Sequence, residues 1–255
     1  MAENRFMKPR IRIEVCCGSA QSAINAQVGG AHRVELCQNL EAGGTTPSAG
    51  EILMARKQLS IELHVLIRPR DGDFLYSDHE LEIIRQDIFF CKSVGVNGVV
   101  IGFLTKNGDI DQRLTAEMIE LAHPMSITFH RAFDLCRDPK TALEQLIGLG
   151  VDRLLTSGQR PTAEEGAGLI KQLVQQAGKY LVVMPGSGIR EHNILELIEK
   201  TGATEYHVSA RKTVVSSMEY CPVGVPMGRY SHNYEYQEID GEVIRCLVNK
   251  VNQNG

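Results

Sequence analysis

The sequence lacks the features that mark membrane, secreted and nucleic-acid-binding proteins. No stretch of its 255 residues approaches the ~18 apolar residues of a membrane-spanning helix, so we expect no membrane segment. The opening residues MAENRFMKPR have no apolar run behind their charges, so we do not expect a secretory signal. The formal net charge is -4 and the basic residues are scattered, which argues against nucleic acid as a partner.

The seven cysteines also lack a recognisable spacing. An odd number of cysteines in a long chain without a secretory signal predicts reduced thiols in a cytoplasmic protein, not a disulfide framework. The sequence has no CxxC…CxxC pattern and no paired Cys/His spacing, so we expect no structural zinc site.

What the chain does contain is a regular alternation of two kinds of apolar segment. Short runs rich in Val, Ile and Leu are each followed by a longer amphipathic stretch, and eight such units can be counted. Strands alternating with helices predict parallel crossovers. Eight units predict an α/β fold, a single-domain (β/α)8 TIM-like barrel. An open, doubly wound parallel sheet is the alternative.

The two ends of this pattern set the expected domain limits. We expect residues 1–10 to form a flexible N-terminal extension and residues 11–255 to form the barrel domain. The irregular segment 211–237 should be a long loop at the catalytic end of the barrel, between the eighth strand and the last helix. Long loops in that position are usually lids, substrate walls or subunit contacts.

Two of the predicted strands, RIEVCC and RVELCQ, alternate aliphatic and hydrophilic residues. Successive residues of a strand point to opposite faces, and the aliphatic face must pack on the helices. The hydrophilic face should therefore point into the barrel; it carries Arg12, Glu14, Cys16, Arg33, Glu35 and Cys37. Buried charges must be paired. The expected acidic partners of Arg12 and Arg33, in a salt-bridged barrel floor, are Glu14, Glu35, Glu62 and Glu205.

Cys16 and Cys37 end adjacent predicted strands on this inward face. Neighbouring strands lie ~4.8 Å apart, so the two thiolates could share one soft metal ion. Low-coordinate thiolate sites suit Cu(I). The alternative is that both cysteines pack inertly in the core, as buried cysteines often do.

Several loops at the same end of the barrel contain groups that bind anions. Arg68 and Arg70 follow the third strand, and two arginines at a strand's mouth suit a carboxylate or phosphate. Ser157 follows the sixth strand. The backbone N–H groups of Gly186, Ser187 and Gly188 follow the seventh and could cradle an anion at a helix N-terminus. A tight strand-to-helix turn is the alternative for this last loop.

Two inward-facing histidines complete the set of candidate catalytic residues. His130 follows the fifth strand and His207 lies in the eighth, and unperturbed imidazole titrates near neutral pH. We expect His130 and His207 to act as acid or base, with Arg68 beside them. Either histidine could instead be a hydrogen-bonded core residue.

Several stretches, in this order, resemble the signature segments of the CutC family: IEVCCGS, GAHRVELCQNLEAGGTTPSAG, IRPRDGDFLYS, TFHRAFD and LTSGQ. The resemblance covers the first six predicted strands. It implies a cytoplasmic TIM-like barrel that forms a homo-oligomer, a dimer or tetramer, with a role in copper homeostasis. It also implies that Cys16 and Cys37 bind Cu(I). The alternative function is a TIM-barrel enzyme acting on a small phosphorylated or carboxylate metabolite. The expected ligand is therefore a copper ion or a small anion.

Overall fold

The computed structural model describes residues 10–222, 224–225 and 233–253, so the predicted N-terminal extension lies almost wholly outside the described residues. Eight strands build the central sheet: β1 (Arg12–Cys17), β2 (Arg33–Leu36), β3 (Glu62–Leu66), β4 (Gly98–Ile101), β5 (Ser126–Phe129), β6 (Arg153–Thr156), β7 (Val182–Pro185) and β8 (Glu205–Val208).

The strands form a nearly closed parallel barrel. Their order is β7-β6-β5-β4-β3-β2-β1-β8. Parallel ladders join seven neighbouring pairs, and β7 lies beside β8 to complete the ring. The predicted (β/α)8 barrel is confirmed, and the open-sheet alternative is wrong, because β7 and β8, the two ends of this order, contact each other, whereas an open sheet would leave them as separate edges.

Eight helices surround the strands: α1 (Ala20–Val28), α2 (Ala49–Gln58), α3 (Asp78–Ser93), α4 (Gln112–Ala122), α5 (Pro139–Gly148), α6 (Ala167–Ala177), α7 (Ile194–Thr201) and α8 (Gly241–Gln253). Five of them begin where a short polar side chain accepts a backbone N–H of the first turn, which satisfies a donor that the helix itself leaves unpaired. These capping residues are Ser19, Ser48, Ser77, Asp111 and Asp138. Among the described residues, no helix is long and apolar enough to span a lipid bilayer.

The alternation of side chains along β1 and β2 separates the hydrophobic core from a charged barrel floor. Ile13 and Val15 are fully buried in the core shared with the helices, where each such side chain contributes roughly 1.5–3 kcal/mol. Arg33 points the other way, into the barrel. It pairs there with Glu14 and Glu205 and lies 3.4 Å from Glu62.

The segment 211–237 differs from the irregular loop that was expected. It contains strand β9 (Arg211–Val215), which pairs antiparallel with β10 (Glu235–Ile239). The hairpin is anchored at Ile239, whose N–H donates to Ser22 Oγ (3.2 Å) and whose carbonyl accepts from Asn25 Nδ2 (3.2 Å). Of the other residues in these two strands, Val214 and Glu238 are half-buried and the rest are exposed, so no hydrophobic alternation marked the strands in the sequence.

Candidate functional site

Cys16 and Cys37 lie together at the rim formed by the carboxyl ends of the strands. Cys16 is in register with Glu35 on the neighbouring strand, and Cys37 follows two residues later. Their Sγ atoms are 3.5 Å apart. Cys17, on the opposite face of β1, is completely buried in the hydrophobic core.

His207 of β8 brings a positive charge to the two thiols. Its Nδ1 lies 2.7 Å from Glu14 Oε1 and 3.6 Å from Glu35 Oε2. Burial by itself would lower the pKa of His207, but hydrogen bonds to Cys16 and Glu14 and the nearby negative charges raise it well above its usual value. The ring is therefore an imidazolium held between Cys16 and Glu14.

The two thiols have very different acidities. The pKa of Cys16 is lowered to about 5. The largest cause is the hydrogen bond that Cys37 donates to its sulfur, and a second hydrogen bond from His207 adds to it. Burial alone would raise this pKa. The same Cys37–Cys16 hydrogen bond, together with burial, raises the pKa of Cys37 well above its usual value. In the metal-free protein the pair is thus a Cys16 thiolate that accepts from a Cys37 thiol.

Glu35 belongs to this site, although the sequence assigned it to the barrel floor. The structure separates it from Arg33, whose carboxylate partners are Glu14, Glu62 and Glu205. Burial raises the pKa of Glu35 to about 8, and the negative charges of Cys16 and Glu14 contribute to this rise. The Glu35 carboxyl therefore holds a proton at neutral pH. Its Oε2 is buried without a hydrogen-bond partner. The signal that could have identified Glu35 was its place opposite Cys16 in the register of two adjacent strands.

A cavity of about 120 Å³ adjoins the two thiols. Its polar lining consists of Cys16, Glu35, Cys37, Arg68, His130, Arg131 and His207. A larger cleft of about 470 Å³ lies beside the segments that follow β7 and β8, against the β9–β10 hairpin. Of its two arginines, Arg211 is paired with Glu41 at 3.0 Å, and Arg190 donates to the backbone carbonyls of Ile189 (3.0 Å) and Ser209 (2.9 Å). The chemistry-bearing side chains converge on the smaller cavity, so we place the candidate site there.

Arg68, which follows β3, and His130, which follows β5, also line this cavity. Arg68 Nη1 donates to the carbonyl of Gly44 (2.8 Å) and Nη2 to that of Gly72 (2.7 Å). His130 Nδ1 accepts the N–H of Ala132 (3.1 Å). Burial, and then the charge of Arg68, lower the pKa of His130 to about 3, so its ring is neutral. His130 and His207, each predicted as an acid/base candidate, are in opposite protonation states at neutral pH.

Two predicted anion-binding side chains are bound elsewhere. Arg70 pairs with Glu80 and, at 3.1 Å, with Asp73, on the outer side of its loop. Ser157 Oγ is buried and already has three partners: it donates to Asp134 Oδ2 (2.9 Å) or the carbonyl of Arg160 (2.5 Å) and accepts from Arg131 (2.8 Å). Both side chains are therefore already hydrogen-bonded to nearby protein groups.

The loop 186–188 also differs from the expected strand-to-helix turn. The following helix, α7, begins only at Ile194. Ser187 has a left-handed backbone (φ 80) and donates its hydroxyl to the carbonyl of Pro161 (2.8 Å). The loop is thus tied to the neighbouring segment, and its N–H groups do not form the first turn of a helix. Its anion-binding role stays a prediction.

Gly102 determines the orientation of His130. A Cβ at this position would lie 2.3 Å from His130 Cε1 and 2.4 Å from Nδ1. We expect Gly102→Ala to displace the ring and to lower the free energy of unfolding by about 1–3 kcal/mol, as overpacking does. The control is Gly168→Ala in α6, where the new Cβ would have no neighbour within 4 Å. Urea denaturation compares the variants; equal stability of Gly102→Ala and the parent would contradict the packing.

The neutral buried histidines predict a loss of stability in mild acid. The pKa of His64 is lowered to about 4, chiefly by burial, and that of His130 to about 3. As pH falls below ~6.5, these histidines bind protons in the unfolded chain before they do so in the folded protein. Each of the two therefore lowers the free energy of unfolding by roughly 1 kcal/mol per pH unit, until the pH reaches its folded-state pKa. Between pH 6.5 and 5, Cys16, with its lowered pKa, and Glu35, with its raised one, have opposite slopes and nearly cancel. His207, whose pKa is raised, adds no slope in this range because it is protonated in both states; above ~6.5 it makes stability rise as pH falls.

Denaturation curves between pH 7.5 and 5 measure this slope. His130→Gln should make the slope shallower, because the variant has one fewer buried imidazole, whereas His79→Gln on the exposed side of α3 should leave it unchanged. Identical slopes for the parent and His130→Gln would show that His130 does not resist protonation.

Known proteins resemble this chain along most of its length. A family model described as the CutC family matches residues 11–212. A family protein CutC of Parabacteroides distasonis is 52% identical over 239 residues, covering 92% of this chain and 98% of that protein. The human "Copper homeostasis protein cutC homolog" is 47% identical over 224 residues, covering 88% of this chain and 82% of that protein.

A solved structure supports the same relationship. The crystal structure of CutC from Streptococcus agalactiae superposes with a TM-score of 0.74 at 34% identity, covering 77% of this chain and 97% of that one. Sequence and fold agree over the strands that supply Cys16, Glu35, Cys37 and His207. The chain belongs to the CutC family.

Proposed function

We propose that the protein binds one Cu(I) ion between Cys16 and Cys37 and acts in copper homeostasis. The observation that carries this proposal is the 3.5 Å separation of two sulfur atoms, one of them already a thiolate. Soft thiolate ligands select Cu(I) over the harder divalent ions. The name of the human relative, which refers to copper homeostasis, supports the same ion.

The donor set fits a soft, low-coordinate metal ion. The ligand atoms of Cys16, Glu35 and Cys37 lie within 4.8 Å of one another, and those of Glu14, Glu35 and His207 form a second such group. Glu14 is already engaged by Arg33 and His207, so the second group is committed to the protein itself. A metal ion on the two sulfurs would also require Cys37 to lose its proton, since only thiolates are ligands.

We place this function in the cytoplasm and in a homo-oligomer. All seven cysteines are free thiols, as a reducing compartment would keep them. The hairpin region carries exposed apolar side chains that a second copy of the chain could cover: Val215, Met218, Tyr220 and Tyr236. Light scattering of the purified protein would test the subunit number.

The test is an anaerobic titration of reduced protein with Cu(I) in competition with a chromophoric Cu(I) chelator. The parent should take up one equivalent, and the Cys16→Ser/Cys37→Ser double variant should lose that equivalent. The matched control, Cys221→Ser/Cys246→Ser, removes two exposed thiols and should behave as the parent. Equal Cu(I) affinity of the parent and the Cys16/Cys37 variant would refute the site.

A second candidate function is an enzyme acting on a small phosphorylated or carboxylate metabolite. It is favoured by the cavity itself, in which a thiolate, an imidazolium and a protonated carboxyl adjoin Arg68 and His130. Groups whose environments hold them in different protonation states at neutral pH are typical of catalytic sites. Screening the metal-free protein against phosphorylated sugars and organic acids, with product analysis, would test for a reaction; no turnover of any compound would count against it.

A further inference from the structure

The cavity beside the thiols contains a buried hydrogen-bond donor that lacks an acceptor. His130 is 5% exposed, and its Nε2 has no hydrogen-bond partner among the described residues. Its Nδ1 accepts the N–H of Ala132, so Nδ1 carries no proton. A neutral imidazole with an accepting Nδ1 must carry its proton on Nε2. The orphan atom is therefore a donor, and an unmatched buried donor costs about 1–3 kcal/mol.

Neighbouring residues fix the orientation of the His130 ring. The Cε1–Nδ1 edge of His130 packs against Gly102, where there is no room even for a Cβ. Nε2 is bonded to Cε1 at the end of the ring away from the backbone, and His130 lines the cavity. Phe74, whose ring centroid lies 4.9 Å from that of His130, supports the other side.

Arg68 supplies a buried positive charge to the same cavity. It is 5% exposed, and within the described residues no carboxylate lies at ion-pair distance from it. Its Nη atoms are held by backbone carbonyls, and its guanidinium carbon lies 4.9 Å from the Phe74 centroid. Its Nε has no hydrogen-bond partner; the hydroxyl of Tyr76 lies near but is itself unpaired. A buried arginine ordinarily has an anionic partner.

We propose that Arg68 and His130 form a subsite for the carboxylate of a small monocarboxylic acid, with His130 Nε2 donating to one oxygen and Arg68 supplying the compensating charge. This inference rests on the second candidate function and is independent of copper. A ligand seated there shares the cavity with Cys16 and Glu35, so its substituent faces these two side chains.

Charge and size select the ligand class. Arg68 is the cavity cation without a carboxylate partner: Arg131 is paired with Asp134 at 2.7 Å and His207 with Glu14 at 2.7 Å. Because the cavity also contains the sulfur of Cys16, a monoanion adds less negative charge there than a phosphate dianion would. A volume of about 120 Å³ is several times the ~10–15 Å³ that one water molecule needs, which suits a small organic acid.

The test measures equilibrium binding to reduced, metal-free protein by calorimetry, with acetate, lactate, pyruvate and inorganic phosphate as separate ligands. We expect saturable binding of one monocarboxylate per chain and weaker binding of phosphate. Arg68→Met and His130→Phe should each weaken the carboxylate by at least about tenfold, the equivalent of ~1.4 kcal/mol. Arg70→Met, on the same loop but outside the cavity, should not change it.

A second measurement needs no variant. In the histidine ¹H–¹⁵N spectrum of the parent protein, saturating carboxylate should shift the Nε2 resonance of His130. The Cys221→Ser/Cys246→Ser protein should retain carboxylate binding, because both thiols are exposed and neither lines the cavity. Binding without any turnover would overturn the enzyme proposal and leave the subsite standing. No saturable binding, tighter binding of phosphate, or an unshifted His130 would overturn the subsite.

Discussion

Arg33→Met should lower the free energy of unfolding by about 3–5 kcal/mol, a large part of the 5–15 kcal/mol typical of a whole domain. The Arg33 side chain is 2% exposed at the centre of the barrel floor. It holds Glu14 and Glu205 by direct hydrogen bonds. Methionine fills much of the space but carries no charge, so two buried carboxylates would lose their principal counter-charge.

The remaining cations cannot fully replace Arg33. Arg153 stays 3.0 Å and Arg12 3.9 Å from Glu205, and His207 stays 2.7 Å from Glu14, so each carboxylate keeps at least one partner. This is why we expect a cost of a few kcal/mol and not the full penalty of two isolated buried charges. Arg33→Lys should fall between the parent and Arg33→Met, because a single ammonium cannot bridge both carboxylates.

Equilibrium denaturation in guanidinium chloride measures the effect. The matched control is Arg85→Met, which breaks a surface pair with Glu117 (2.7 Å) and should cost less than about 1 kcal/mol. If Arg33→Met were no less stable than Arg85→Met, the floor would not depend on its central arginine.

His207→Gln should raise the pKa of Cys16 by about 2 units or more from its value of about 5. The hydrogen bond from Cys37, the largest cause of the lowered pKa, remains in this variant. The stabilisation of the thiolate by His207 is lost, so burial raises the pKa of Cys16. Glutamine can still donate to Glu14, so the surrounding packing is retained. Cys37→Ala should raise the same pKa, whereas Cys37→Ser should raise it less, because a hydroxyl can still donate to the thiolate.

The measurement is the pH dependence of iodoacetamide labelling, followed at the Cys16 peptide by mass spectrometry. Cys221→Ser/Cys246→Ser is the background, because both removed thiols are exposed. Only the thiolate reacts, so the midpoint of the rate profile reports the pKa. His79→Gln should leave the midpoint in place. A midpoint that is the same in His207→Gln and the parent would show that His207 does not activate Cys16.

The barrel could be predicted because its signals are repeated and local. Each strand–helix unit shows its own periodicity, and the inward set of β1 and β2 follows from alternation alone. The hairpin β9–β10 could not be predicted in this way: of its two strands only Ile239 is buried, and its side chains show no apolar face. Its pairing depends on contacts with α1, which the local sequence does not reveal.

The candidate site was predictable in part, for a related reason. Cys16 and Cys37 could be placed from strand position, and their separation of 3.5 Å follows from adjacent strands. Arg70 could not, because residue type does not show that Glu80, ten positions away, pairs with it first. Glu35 was assigned to the floor because alternation gives the face of a side chain but not its level along the barrel axis.

Anomalous diffraction at the copper edge, from crystals of reduced protein loaded with one equivalent of Cu(I), would show where the metal ion binds. If Cys16 of β1 and Cys37 at the end of β2 form one soft-metal site, a single anomalous peak should lie between their Sγ atoms. A peak at the exposed Cys221 or Cys246, with none at the rim, would contradict it.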